Sequence, residues 1–131
     1  YNIEKVYHSR SGAITAKKLF GVSDTVYNSI WNHTTGDSSM TVLDKIIFLA
    51  DFIEDNRTDS DCVELRDFYN EKMKGKDTLS QKLLAFNETM LRAFDITIEY
   101  LQSQGSLIHE NTIKARNAIN NETIRYRRTL S

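Results

Sequence analysis

The stretch HTTGDSSMTVLDKIIFLADFIEDNR, residues 33–57, decides how the rest of the chain is interpreted. Its second half is an apolar run that carries one carboxylate, Asp51, between apolar neighbours. Because an isolated buried charge is very costly, Asp51 must be exposed by a helical turn, paired with a cation, or bound to a metal ion. Two explanations fit Asp51 equally well. One is a buried ion pair with Lys45, Arg57 or Arg66, and the other is ligation of a metal ion.

The apolar run predicts a helix over about 41–54, with Thr41 as its N-cap. The run is apolar nearly all round from Ile46 to Ile53, which is typical of a central, buried helix. Helical spacing places Phe48 and Asp51 on one face, and Glu54 lies one turn beyond Asp51.

The rest of the chain also predicts helices. Apolar residues recur at helical spacing over about 8–20, 23–32, 61–74, 78–104 and from 111 into the 120s. The sequence of 131 residues contains no proline, a residue that breaks helices. We therefore predict an all-α bundle of about six helices around the 41–54 helix, in one domain spanning 1–131. The apolar stripe of the 78–104 helix predicts that this helix packs into the core or against a partner helix. Residues 1–7 have no assignable structure.

Composition limits the classes of partner. The formal net charge is −1, which gives no reason to expect binding to nucleic acid or to a membrane surface. No apolar run is long enough to span a bilayer. The single cysteine, Cys62, cannot form an internal disulfide, which fits a reducing compartment, and we expect a cytoplasmic protein.

Residue types that ligate metals occur at three positions of interest. His8 and His33 each lie at an end of a predicted helix, and Asp51 lies on the apolar one. Two imidazoles and a carboxylate suit iron, manganese or zinc better than calcium. Three ligands would leave coordination positions open for water and substrate. Each histidine alone is equally well explained as a surface residue at a helix end.

Polar residues near these positions could serve phosphate chemistry. Glu54 could transfer a proton, and Arg57 could hold a phosphate through two parallel hydrogen bonds. The loop residues Thr34, Thr35 and Gly36 could offer hydroxyl and backbone N–H groups to phosphate oxygens. The structural alternatives are an exposed glutamate, a surface ion pair between Arg57 and Glu54, and an ordinary loop that ends a helix.

Three segments together resemble the YqeK branch of the HD-domain metal-dependent phosphohydrolases. They are HSRSGA at 8–13, HTTGDSSM at 33–40 and LDKIIFLADFIEDNR at 43–57, and a weaker similarity continues through GSLIHENTIKARN at 105–117. The resemblance implies an all-helical bacterial enzyme, a symmetrical bis(5'-nucleosyl)-tetraphosphatase that hydrolyses diadenosine tetraphosphate to two ADP. It also implies a pair of divalent metal ions, often iron, with manganese or zinc as alternatives.

The resemblance assigns roles to individual residues. The metal ligands are expected to be His8, His33 and Asp51, and the catalytic residues Asp51 and Glu54. Five residues are expected to bind phosphate, and all except Arg57 match the family motif less securely. They are Thr34, Thr35, Gly36, Lys45 and Arg57.

The chain also departs from the family pattern. The family's first histidine and the His-Asp pair that names it lie upstream of the segment that His8 begins, and this sequence contains no His-Asp dipeptide. We therefore expect the chain to be the C-terminal major part of an HD domain whose first helices are absent, with little activity alone. The alternatives are another HD-type nucleotide phosphohydrolase, a non-catalytic nucleotide-binding module, and a structural protein that forms a homodimer through the 78–104 stripe.

Overall fold

The protein is an all-α bundle, as predicted. The computed structural model describes residues 3–130, and their side chains from residue 6 onward. Six helices follow in chain order: α1 (Ile3–Phe20), α2 (Asp24–Asn32), α3 (Val42–Ile53), α4 (Ser60–Met73), α5 (Leu79–Ser103) and α6 (Glu110–Leu130). No strand occurs within this part of the chain. The first helix begins at Ile3, earlier than the predicted start at about residue 8. Residues 1–7 contain no recognisable helix cap, so their sequence does not mark where the helix starts.

The helix starts follow from side-chain caps that the sequence contains. Thr41 accepts a hydrogen bond from the backbone N–H of Asp44, and the Asp44 carboxylate accepts one from the backbone N–H of Thr41. The same reciprocal pair is formed by Thr78 and Gln81 at the start of α5. Each pair satisfies N–H groups that a helix leaves without partners, so both boundaries were predictable within a residue or two.

The centre of the bundle is α5, which packs against α3, α4 and α6. Met90 and Phe94 of α5 are fully buried, and the Phe94 ring stacks on Phe48 of α3 at 4.6 Å between centroids. The apolar stripe of α5 is thus intramolecular core, one of the two readings given above. The middle of the stripe is occupied by contacts within the chain, and a homodimer stays a prediction.

One predicted feature of α3 is also wrong. The helix is not buried nearly all round: Val42, Ile46 and Ile47 are 58%, 47% and 38% exposed. These side chains lie on the side of α3 that faces away from the α5 core, while Phe48 and Leu49 enter the core. Asp51 is exposed as well, so its environment is not the buried one that the apolar run suggested.

The loop between α2 and α3 is fixed to the core at Gly36. This residue has φ +76°, a backbone conformation that residues other than glycine rarely adopt. A Cβ atom built there would lie 2.7 Å from Phe94 Cζ and 3.0 Å from the Ala115 Cβ. One residue earlier, the carbonyl oxygen of Thr35 accepts a hydrogen bond of 2.9 Å from the Thr112 hydroxyl of α6. The loop therefore contacts both α5 and α6.

We predict that Gly36→Ala destabilises the protein by about 3 kcal/mol, from left-handed strain and overpacking together. The matched control is Gly75→Ala, at φ +73° with no atom within 4 Å of the added Cβ, which carries the strain alone, about 1 kcal/mol. Urea unfolding of both variants measures the difference. Equal losses would show that the contact with Phe94 does not constrain position 36.

A buried ion pair connects α3 to α6. Lys45 Nζ lies 2.8 Å from Glu122 Oε2, and the side chains are 8% and 26% exposed. Burial raises the pKa of the Glu122 carboxyl, but the hydrogen bond from Lys45, the Lys45 charge and the hydrogen bond from Tyr126 more than offset this, so its pKa lies below the usual value. Removing one partner of such a pair is destabilising because the other charge stays partly buried.

The lowered pKa of Glu122 makes stability depend on pH. A carboxyl whose folded pKa is depressed stabilises the fold above its unfolded pKa, near 4.5, and this contribution is lost as the pH falls through the folded value. We predict that Glu122→Gln lowers the free energy of unfolding at pH 7 and that the difference from the wild type shrinks on acidification below about pH 4.5. Urea unfolding at pH 7 and pH 3.5 measures it, and a difference independent of pH would contradict the assignment.

Candidate functional site

The helices α1 and α2 form a hairpin that brings His8 and His33 together. The two imidazole rings lie 6.1 Å apart between centroids, with planes inclined at 78°. His8 lies within α1 and is exposed, whereas His33 is the C-cap residue of α2 and is half-buried. Residues 25 positions apart in sequence therefore share one site, a proximity that helical periodicity alone could not reveal.

A backbone hydrogen bond fixes the orientation of the His33 ring. Its Nδ1 lies 2.6 Å from the carbonyl oxygen of Ile30. A carbonyl oxygen only accepts, so Nδ1 must carry the proton and donate. In the neutral imidazole the lone pair is then on Nε2. A backbone acceptor on one nitrogen is the usual arrangement of a histidine whose other nitrogen ligates a metal.

Arg10, which no sequence motif singled out, holds the hairpin together. Its guanidinium donates a hydrogen bond to the carbonyl oxygen of Trp31, and Arg10 Cζ lies 4.4 Å from the centroid of the Trp31 ring. Tyr27 stacks on the same ring at 5.7 Å between centroids. A cation over an aromatic face is attractive. The only signal in the sequence is position: Arg10 follows His8 by two residues, and Trp31 precedes His33 by two.

The carboxylates at the end of α3 form a separate cluster around Arg57. Asp51 Oδ1 lies 3.1 Å from Arg57 Nη2, and Glu54 Oε1 lies 3.7 Å from Arg57 Nε. The three side chains are 53%, 44% and 41% exposed, for Asp51, Glu54 and Arg57 in turn. Of the two explanations for Asp51, the structure shows an ion pair with Arg57, but on the surface rather than in the core. Exposed pairs of this kind contribute little to stability.

Arg66 of α4 fixes the backbone that carries this cluster. Its guanidinium donates to the carbonyl oxygens of Ile53, Glu54 and Arg57 at 2.9, 2.6 and 2.7 Å. Ile53 ends α3 and Glu54 is its C-cap residue, and carbonyls at the end of a helix lack partners within the helix. The Glu54 carbonyl also accepts from the backbone N–H of Arg57 at 3.0 Å. Arg66 was considered only as a partner for Asp51. It instead caps α3 and positions Glu54 and Arg57.

The residues expected to bind phosphate differ from one another in burial and in the groups they contact. Thr34 lies beside His33 and is half-buried, whereas Thr35 and Gly36 are buried and hold the loop against α5 and α6. Lys45 is directed inward to Glu122. Arg57 is exposed and engaged by carboxylates. A phosphate role for each of these residues stays a prediction, and Thr35, Gly36 and Lys45 have structural roles that account for their burial.

The residues present fit a divalent metal in part. The His8–His33 pair offers two imidazoles, one with its Nε2 lone pair directed by the hydrogen bond to Ile30. Over residues 3–130, however, no three His, Cys, Asp or Glu side chains are grouped so that they could hold an ion. Asp51 is paired with Arg57 instead of completing the histidine pair. The two histidines expected to ligate a metal therefore lie together, and Asp51 does not join them.

Comparison with known proteins identifies relatives but no matching family model. A protein of Mycoplasma pneumoniae named "Probable nicotinate-nucleotide adenylyltransferase/Ap4A hydrolase" is 36% identical over 100 residues, 76% of this chain and 26% of that protein. A protein of Halalkalibacterium halodurans named "Bis(5'-nucleosyl)-tetraphosphatase, symmetrical" is 44% identical over 55 residues, 41% of this chain and 29% of that protein. The chain thus spans between a quarter and a third of these relatives.

A solved structure has the same fold. It is described as a "predicted HD superfamily hydrolase involved in NAD metabolism" from Clostridium acetobutylicum, and it superposes with a TM-score of 0.71 at 36% identity. The match covers 88% of this chain and 55% of that one. Sequence and fold together confirm the resemblance seen in the motifs: the chain is similar to proteins named as Ap4A hydrolase and symmetrical tetraphosphatase, and it has the fold of an HD superfamily hydrolase.

Proposed function

We propose that the chain forms part of a metal-dependent phosphohydrolase that cleaves diadenosine tetraphosphate symmetrically to two ADP. The names of the relatives support hydrolysis of a nucleotide substrate. The observation that carries the proposal is the His8–His33 pair, in which a backbone hydrogen bond leaves Nε2 of His33 free to ligate. All six helices would act as one domain, and the lone cysteine accords with a cytoplasmic location.

His8 and His33 would hold a divalent ion, iron or alternatively manganese or zinc, in a two-metal site. A divalent ion bound there would supply neutralisation of the charge that develops on phosphate oxygens. Asp51 is the proposed third ligand, which requires that its carboxylate leave Arg57. That exchange is physically cheap, because both side chains are about half exposed and exposed ion pairs are weak.

The release of Asp51 would give Arg57 a role in substrate binding. A guanidinium recognises a phosphate in the same two-point geometry as a carboxylate, so a polyphosphate can replace Asp51 as its partner. The Thr34 hydroxyl would donate to the same phosphate group. Arg66 would keep the Arg57 backbone in place through its three carbonyl contacts, which do not involve the Arg57 side chain.

Glu54 is the proposed group for proton transfer. Water attacks an inner phosphorus of the tetraphosphate, the bond between that phosphorus and the central bridging oxygen breaks, and ADP leaves with that oxygen. Glu54 accepts the proton that the attacking water loses. In the resting arrangement one Glu54 oxygen lies 3.7 Å from Arg57 Nε and the other accepts from the Asn56 N–H at 3.2 Å. Departure of Arg57 to the phosphate would free the first oxygen.

The test of this proposal measures metal affinity and turnover in parallel. We predict that His33→Gln weakens Zn²⁺ binding at least tenfold by calorimetric titration, since it removes one of two assembled ligands. In the protein that carries this sequence, Asp51→Ala is expected to lower both metal content and ADP release from diadenosine tetraphosphate, the latter at least a hundredfold.

Each variant has a matched control in the same chain. His109→Gln replaces a histidine that accepts from the backbone N–H of Asn111 and belongs to neither site, and it should leave Zn²⁺ affinity unchanged. Asp55→Ala replaces an exposed neighbour of Glu54 and should leave ADP release near the wild-type rate. Unchanged metal content and hydrolysis in Asp51→Ala would overturn the assignment. Nucleotide binding without ADP release would instead identify a non-catalytic nucleotide-binding module.

A further inference from the structure

A cavity of about 330 Å³ lies between α2, the loop after it and the start of α3. Its walls include Asn28, Trp31, Asn32, Asp37 and Asp44. Two of these wall residues, Trp31 and Asn32, directly precede His33 in the sequence. Its volume is within the range of small-molecule sites, which begins at roughly 300 Å³.

The two carboxylates of the cavity differ in what they have left to bind. Asp44 is fully used: one oxygen accepts from the Ser29 hydroxyl at 2.6 Å and the other from the backbone N–H of Thr41 at 3.0 Å. Asp37 Oδ2 accepts from the backbone N–H of Ser39 at 3.0 Å. This bond holds the carboxylate in a turn and leaves its other oxygen as an acceptor for a ligand.

The remaining walls offer amides and an aromatic ring. The side-chain amides of Asn28 and Asn32 belong to residues that line the cavity, and an amide offers both hydrogen-bond donors and an acceptor. Each amide can therefore donate and accept at once. The Trp31 ring contacts both the Arg10 guanidinium and the Tyr27 ring, and these contacts fix its position before any ligand binds.

The charge of the cavity limits what enters it. Asp37 and Asp44 are the charged residues of its walls, and no lysine or arginine lines it within the described chain. Such a cavity repels phosphate and admits a neutral group rich in hydrogen-bond donors. A nucleotide bound there would therefore have to keep its phosphates outside the cavity.

We propose that this cavity binds one nucleoside of the substrate, with the base on the asparagine amides and the ribose on Asp37. An Asn amide matches the donor and acceptor on one edge of adenine through two hydrogen bonds. A carboxylate accepts from the ribose hydroxyls, as acidic residues do in dinucleotide sites. The proposal rests on the proposed function, because it takes the phosphates of the same molecule to reach the histidine pair.

The sequence provides a direct reporter of occupancy. Trp31 is the only tryptophan of the chain and forms part of the cavity wall. Titration of the metal-free chain with adenosine, which has no phosphate, should change Trp31 fluorescence with a saturable curve. Inorganic pyrophosphate should not change it. The absence of a saturable response to adenosine would overturn the inference.

Two variants test the assigned contacts. Asn28→Leu keeps the side-chain size but removes both hydrogen bonds, and should weaken adenosine binding at least tenfold. Its control, Asn117→Leu, alters an exposed asparagine of α6 and should have no effect. Asp37→Asn can retain the turn with Ser39, and it should abolish the preference of the wild type for adenosine over 2′,3′-dideoxyadenosine. Unchanged affinity in Asn28→Leu, with helical content intact by circular dichroism, would overturn the assignment.

The outcome is separable from that of the metal experiment. Zn²⁺ binding at the histidines without an adenosine response would remove the nucleoside site and leave the phosphohydrolase proposal standing. Adenosine binding with no effect of His33→Gln on Zn²⁺ affinity would support the nucleoside site and overturn the metal site.

Discussion

The close approach of Gly36 to Phe94 is the constraint on which the site depends. Phe94 is fully buried, stacks on Phe48 of α3, and leaves no room for a Cβ atom at position 36. The loop that follows His33 is therefore held against the centre of the bundle, and the Thr112 hydroxyl secures it from α6. Because His33 ends α2 only three residues before Gly36, this contact also sets where the histidine lies.

The two halves of the proposed site differ in how firmly they are built. The histidine pair is fixed by the loop anchor, by the bond from His33 to the Ile30 carbonyl and by Arg10 over Trp31. The carboxylate half is held at its backbone by Arg66, while Asp51, Glu54 and Arg57 remain exposed and paired with one another. In the proposed site the histidine pair would thus be held in place, while the carboxylates could exchange partners when a metal and a polyphosphate bind.

Local chemistry made the helices predictable, and long-range contacts made the rest unpredictable. Thr41 with Asp44 and Thr78 with Gln81 specify two helix starts within short segments of the sequence. The exposure of Ile46 and Ile47 depends on which helices surround α3, which an apolar run does not encode. Likewise, the burial of Lys45 against Glu122 joins residues 77 positions apart. The motif resemblance predicted which histidines meet, but Arg10 and Arg66 act through backbone carbonyls and leave no pattern in the sequence.

The tautomer of His33 tests the central claim most directly. In a ¹⁵N-labelled sample, long-range proton–nitrogen correlation spectra distinguish a protonated Nδ1 from a protonated Nε2. With the Ile30 carbonyl as acceptor, neutral His33 should carry its proton on Nδ1, and Zn²⁺ should shift the Nε2 resonance. A neutral His33 protonated on Nε2, with no response of that nitrogen to Zn²⁺, would contradict a ligand site at the end of α2.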